Sequence, residues 1–515
     1  MTRINRRRAL GLFASSTAAL ASWAGRPGMA AAAAHRPRLD DQGFGSLVAA
    51  ENTAAGSRAW HPTEGALAVD DVRRQIQGYA SVTSVNLGEK IAFHLSTARP
   101  QNCRIEIFRI GYYGGTGGRL MITSPVRSGK PQPLPTPDPK TGRITCRWPA
   151  SWRFQIPADW TSGLYVAVFV DAAGHRSATP FVVRDDAQRA SLCIVLPFTT
   201  YQAYNMWPVD GHTGRSLYHG QTAGKIDSPK RAVQVSFDRP YSGDGLPRHF
   251  LNDVAFVRWA ESIGLDVTYA TSEDLHYGRV GTADRQGLIF PGHDEYWSAE
   301  MRDNVETTLD AGNSLAFFGA NNVYWNIRFS ADARIMACYR HVPDPYASRH
   351  HTPTTNRWRA SSPAPNKPEQ LLLGIQYRGI LDKPAPLVVR RADHWLWNGT
   401  GLRNGDKIPN VVAVEADIDD PTAPRPTVGK RTLLAASPFR PTNAPGTLIH
   451  RTCVRELPNG AIVFVAGTLG WTMALAAAGA PGEQLRQATG NVIARMTLDP
   501  NPTALEVDSA ITDSF

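Results

Sequence analysis

Three short segments of this 515-residue chain combine residue types that packing alone does not call for. Pro291-Gly292-His293-Asp294-Glu295-Tyr296-Trp297 puts an imidazole, two carboxyls and two aromatic rings in one place. Thr199-Thr200-Tyr201-Gln202-Ala203-Tyr204-Asn205, with Ser216-Leu217-Tyr218 shortly after it, supplies phenols, and Gly319-Ala320-Asn321-Asn322 supplies amides. On an extended backbone His293 and Glu295, two positions apart, point to the same side, so one could ligate a metal while the other moves protons. A phenol, with a pKa of about 10, gives up its proton at neutral pH only beside a strong Lewis acid. A Tyr/Tyr/Glu donor set therefore favours a trivalent ion such as Fe(III) over zinc, which prefers His and Cys.

Other chemistries lack their residues. The chain has no GxSxG elbow, no HExxH and no Walker loop. Gly114-Gly115-Thr116-Gly117-Gly118 opens no helix and reads as a hairpin turn rather than a phosphate loop. Five scattered cysteines do not make a disulfide scaffold, although Cys103 and Cys146 fall in one β region and could pair outside the cytoplasm. Glu273-Asp274 reads as a solvated loop and His350-His351 as an exposed pair. The candidates have ordinary readings too: Tyr201, Tyr204 and Tyr218 as aromatic packing, His293 and Glu295 as partners of the helix that follows them.

The elements that would position these segments follow from periodicity. Ser191 to Pro197 is a continuous apolar run, the mark of a strand buried on both faces. Val254, Val257, Ala260 and Ile263 recur at helical spacing before Gly264. Leu265–Ala270, Gly287–Phe290 and Ser314–Phe318 read as strands, with a helix capped by Ser298 running to Gly312. Ala461–Gly467 reads as a late central strand before a last helix. Alternating β and α elements imply a parallel sheet with helices on both faces, and ligands of such sheets lie beyond the carboxyl ends of the strands. All three unusual segments sit there. Upstream, short strands punctuated by Gly and Pro suggest an immunoglobulin-like β-sandwich over 76–186. The α/β domain is assigned to 187–500, with a Pro- and Arg-rich insertion at about 330–370, and 501–515 as a tail.

Residues 1–34 read as an address. Arg6-Arg7-Arg8, a mildly apolar run and Ala30–Ala34 have the layout of a secretory signal of the twin-arginine type, followed by a linker or arm over 35–75. Five of the 55 basic side chains lie in that leader; the 50 that remain face 45 acidic ones, too weak a bias to imply nucleic acid. Beyond the leader no apolar run is long enough to span a membrane.

These residues also carry a resemblance. The stretch from Leu192 to about Leu475 resembles the catalytic domain of the N,N-dimethylformamidase large-subunit (beta) family, through Thr200–Asn205, Ser216-Leu217-Tyr218, Gly292–Trp297 and Gly319–Asn322. Phe108-Arg109-Ile110-Gly111-Tyr112-Tyr113 is similar to the family's accessory β region. The sheet layout is similar to that of class I glutamine amidotransferases, but the elbow at Gly319–Asn322 has no cysteine nucleophile, which disfavours a thiol mechanism.

The resemblance implies hydrolysis of a small amide at a mononuclear ferric ion held by two tyrosines and a glutamate. Carried over by motif, the ligands are Tyr204, Tyr218 and Glu295, with Tyr201 as rival to Tyr204. His293 is the catalytic neighbour, and Glu415 the assisting carboxylate, with Glu456 as its rival. The family's amidase pairs with a small second subunit, so a small partner or a homo-oligomer is expected; the export leader here departs from that cytoplasmic enzyme and leaves the substrate open. The competing reading is a non-catalytic exported binding protein for a glycan or cell-surface partner, using Trp148, Trp152 or Trp160. A third is an amidotransferase-like enzyme acting on sugars.

Overall fold

The computed structural model describes residues 46–497, apart from 189, 281–284, 363–365 and 443. The leader (1–34), the first part of the arm and the tail (501–515) lie outside the described residues. The described part of the arm packs onto the body through Val48 and Trp60, both buried.

Two β-sheets follow. Ile76–Ala80, Lys90–Thr97 and Ala150–Gln155 form the smaller, antiparallel one. The larger orders Ser84–Asn86, Arg176–Arg184, Gly163–Asp171, Gln101–Ile110 and Gly118–Thr123. Side chains alternate between two cores. Ile105, Ile107, Tyr165, Ala167 and Phe169 meet Ile91, Phe93 and Leu95 of the small sheet. Phe108, Ile110, Leu164, Val166 and Val168 join the core of the next layer. With both faces covered, Leu164–Val170 has no polar alternation. The glycine-rich run forms the connection between Gln101–Ile110 and Gly118–Thr123, an antiparallel hairpin.

The second layer is a seven-stranded sheet. Its strands are β1 (Leu192–Leu196), β2 (Val267–Thr271), β3 (Gly287–Phe290), β4 (Ser314–Phe317), β5 (Lys430–Leu433), β6 (Cys453–Glu456) and β7 (Ile462–Val465), ordered β2-β1-β3-β4-β7-β6-β5. The first five in that order pair in parallel; β6 and β5 add an antiparallel edge. Leu192, Ile194 and Leu196 face a core shared with helices α1 (Phe198–Tyr204), α2 (Phe250–Ser262) and α4 (Ala480–Met496). Cys193 and Val195 face the other way, toward Met301, Val305 and Leu309 of α3 (Ala299–Asp310). The predicted caps are present: Ser298 Oγ accepts from Met301 N at 3.2 Å, and Gly264 has a φ of 65° just past α2.

Between β4 and β7, besides β5 and β6, short strands pair with one another: Gln376–Ile380 with Glu415–Ile418, Ala385–Val388 with Lys407–Val412, and Ser437–Phe439 with Leu448–His450. Two expectations are corrected. Glu273-Asp274 is no solvated loop: both residues are buried at the start of a short helix. Glu273 accepts from Thr83 Oγ1 at 2.6 Å and Asp274 from Ser84 Oγ at 2.7 Å, which ties the sheet to the strands before it. Cys103 and Cys146 are free thiols, because Cys103 lies in the core between the front sheets and Cys146 in a separate aromatic cluster.

Candidate active site

The rim beyond β1, β3 and β4 brings the three segments together. The chain leaving β3 approaches the chain leaving β4 so closely that a Cβ on Gly319 would lie 2.2 Å from the Gly292 carbonyl oxygen, which explains the glycine there. Main-chain bonds from Val323 to the Asp294 carbonyl and from Trp325 to the Glu295 carbonyl fasten the two loops. Thr200 of α1 accepts the Glu295 N–H on its Oγ1 at 2.9 Å.

Glu295 is the hub. Its Oε2 accepts from Tyr218 Oη at 2.6 Å and Tyr204 Oη at 3.1 Å, and His293 Nε2 stands 3.4 Å away. Its Oε1 accepts from Trp325 Nε1 at 3.0 Å and Asn321 Nδ2 at 3.2 Å. The two phenol rings stack 4.3 Å apart, half-buried. His293 Nδ1 bonds the Ala320 carbonyl at 3.1 Å, which directs Nε2 to Tyr204 Oη, 3.3 Å away, and to Glu415 Oε2, 3.7 Å away. Glu415 Oε2 is buried and has no hydrogen-bond partner.

The environment separates these groups electrically. Burial pushes both phenols well above the ordinary tyrosine range, and the Glu295 charge adds to it. Burial also works against the charge on Glu295, but the His293 hydrogen bond and charge overcome it and hold that carboxyl below its usual range. Glu415 is pushed by burial up to about 7. For His293 burial is outweighed by the carboxylates of Glu415 and Glu295, which raise it to about 9.

The backbone around the cluster is unusual. His249, Asn321, Val323, Arg340 and Val414 all have positive φ, between 56° and 70°, where non-glycine residues are uncommon and β-branched ones are outliers. Such strain gathers at functional sites. Val414 places Glu415, Asn321 turns its amide to Glu295, and Arg340 turns inward.

Of the rivals, Tyr201 lies behind the cluster, its hydroxyl donating to Asp253 Oδ2 at 2.5 Å, and Glu456 sits on β6 accepting from Trp395 Nε1 at 3.2 Å. Neither bonds to Glu295. Trp148, Trp152 and Trp160 are buried, so none forms a glycan-binding face. His350 and His351 are exposed. Sequence reasoning missed Trp325 and Arg340, and gave Thr200 and Asn321 no role although both stand in quoted motifs. Trp325 lies just past Gly319–Asn322, and reading that motif a few residues further would have found it. Arg340 lies in the irregular stretch after β4, with no sequence signal.

The donor set fits a hard trivalent cation. Among the described residues no three His, Cys, Asp or Glu side chains are grouped as metal ligands, so a metal here depends on phenol oxygens. Two phenols and one carboxylate already converge on a single point, and as phenolates and carboxylate they would carry three negative charges. Both phenol hydroxyls donate to Glu295 Oε2.

Residues 104–486 match the family model described as N,N-dimethylformamidase beta subunit-like, C-terminal. No curated protein matches the chain. Among solved structures, a mutant β-glucosidase from Listeria innocua in complex with laminaribiose aligns at 8% identity over 21% of this chain and 16% of its own, with a TM-score of 0.14. A Paenibacillus cycloisomaltooligosaccharide glucanotransferase with bound cycloisomaltoheptaose aligns at 10% identity over 40% of this chain and 28% of its own, with a TM-score of 0.16. This chain thus spans under a third of either protein, and neither likeness bears on its fold or activity.

Proposed function

The chain belongs to the N,N-dimethylformamidase beta subunit-like family, and from that membership we propose that it hydrolyses the carbon–nitrogen bond of a small amide at a ferric ion held by Tyr204, Tyr218 and Glu295. The observation that carries this reading is the convergence of both phenol hydroxyls and His293 on one oxygen of Glu295. The amidotransferase-like reading of the sheet, the immunoglobulin-like reading of the front sheets and export through the leader belong to the same proposal. So does a small partner subunit or self-association.

The ferric ion would supply Lewis acidity, polarising the amide carbonyl and acidifying water. The protein supplies the proton movements. Glu415, with a pKa of about 7 and a free buried oxygen, takes a proton from the attacking water as its oxygen bonds to the carbonyl carbon. His293, protonated at neutral pH, gives its Nε2 proton to the departing nitrogen as the C–N bond breaks. The products are a carboxylic acid and an amine. Two buried groups 3.7 Å apart, one poised as base and one as acid, are what such a step needs. Asn321 and Trp325 hold Glu295 in place through its other oxygen.

The test is amine release from N,N-dimethylformamide and a panel of small amides by the iron-loaded chain. Hydrolysis that needs iron and is lost in Glu295→Gln supports the reading; an iron-saturated chain inert toward the whole panel overturns it.

A further inference from the structure

Two guanidinium groups flank the phenol pair, and the mechanism above uses neither. The Arg248 guanidinium carbon lies 5.3 Å from the centre of the Tyr204 ring. That of Arg340 lies 4.4 Å from the Tyr218 ring and 4.3 Å from the Trp325 ring, wedged between them. Arg340 donates from Nη1 to the Leu217 carbonyl at 3.0 Å, and its Nε is buried without a partner. Among the described residues neither arginine has a carboxylate within ion-pair distance. Other arginines that rest on aromatic rings are also paired with acids: Arg279 with Asp274, Arg302 with Glu306, Arg328 with Asp344, Arg334 with Asp238 and Arg359 with Glu369. Cations resting on aromatic faces with no anion are the exception, and here both stand beside the phenols proposed to hold the ion.

The charge balance gives them a purpose. Three anionic donors would neutralise a trivalent ion, and a neutral amide would bring neither guanidinium a carboxylate in contact. Positive charge beside a binding site favours an anionic ligand, and arginine recognises carboxylates by paired donors. Arg248 is exposed, just before the left-handed His249 that opens α2, so its guanidinium is open to solvent beside the Tyr204 ring. Arg340 is fixed by its two rings and adds field from within. We propose that the amide taken by this site carries a carboxylate close to its C–N bond, bound at the mouth by Arg248 with Arg340 behind it. This rests on the amidase reading and narrows its substrate class to acyl amino acid-like amides.

The probes are N-formylglycine and N-isobutylformamide, alike in size and shape, with an isopropyl group in the second where the first has its carboxylate. With iron-loaded chain, kcat/KM should favour N-formylglycine, and Arg248→Gln should lower the ratio of the two about tenfold, with partial recovery in Arg248→Lys. The metal-free chain provides a second readout: calorimetric titration should give a Kd for N-formylglycine that rises about tenfold in Arg248→Gln. Equal preference for the two amides, or a ratio that Arg248→Gln does not move, overturns the proposal and leaves the amidase reading standing. If neither amide is hydrolysed the amidase reading fails for this class, and calorimetry still decides the anion site: absence of N-formylglycine binding sinks it.

Discussion

Helix α2 has a buried charge cluster at each end, and the two are built in opposite ways. At its C-terminal end Glu261 is saturated: Arg109 donates to it twice at 2.7 and 2.8 Å, Tyr269 at 2.7 Å and Asn52 at 2.7 Å. Both charged side chains are fully buried, and they join the arm, the front sheets and the α/β sheet. At the N-terminal end, beside His249, the contacts of His293 are long, Glu415 keeps a bare oxygen, and five residues are held in left-handed backbone. The first cluster has every reason to stay as it is. The second leaves charged and polar groups facing one another with few close contacts.

Mutations should separate the two. Glu295→Gln is expected to abolish stoichiometric iron binding and cut amide hydrolysis by at least about 10³-fold, while thermal unfolding changes little; metal analysis beside calorimetry checks this. Arg109→Ala should do the reverse, costing about 3–5 kcal/mol by leaving Glu261 unpaired, with iron per folded chain unchanged; denaturant titration reads the loss. A variant that lost both properties together would erase the distinction.

Smaller effects sharpen it. His293→Gln should reduce kcat by roughly 10²–10⁴-fold, the usual worth of a positioned proton donor, with iron retained. Because Glu415 must be ionised and His293 protonated, kcat/KM should rise with the ionisation of Glu415, whose carboxyl burial holds above its usual range, and fall at higher pH as His293 loses its proton, and Glu415→Gln should remove the rise. The least effect belongs to Glu273, a joint residue whose carboxyl burial pushes up to about 7. A raised carboxyl favours the folded state most below its unfolded value, and that advantage fades as pH climbs through 7. Glu273→Gln, which can still accept from Thr83, should therefore stabilise the protein by roughly 1–2 kcal/mol at pH 8 and by little at pH 4; melting curves at the two values test it.

Legibility in the sequence followed the same division. Local signals were readable: the apolar run of β1, covered on both faces; the Ser298 cap; the helical spacing that ends at Gly264. His293 and Glu295 stood out as an imidazole and a carboxyl clustered at one strand end, while the choice of Tyr204 and Tyr218, and of Glu415, was drawn from the family resemblance. What could not be read depends on distant partners. Glu273 and Asp274 look like surface acids until Thr83 and Ser84, 190 residues away, cover them. Gln376–Ile380 pairs with Glu415–Ile418 across an irregular stretch with no period to reveal it. Arg340 acquires its place from two rings and a left-handed backbone, neither visible in residue type.

The proposed role of the oxygens of Tyr204, Tyr218 and Glu295 is to hold a ferric ion. It is tested most directly by the visible spectrum of the iron-loaded chain beside its iron content. A phenolate-to-iron charge-transfer band with about one iron per chain, as a single site of this donor set requires, weakened or shifted in both Tyr204→Phe and Tyr218→Phe, is the predicted result. A folded chain that takes up no iron, or an iron spectrum indifferent to both tyrosines, would contradict the account.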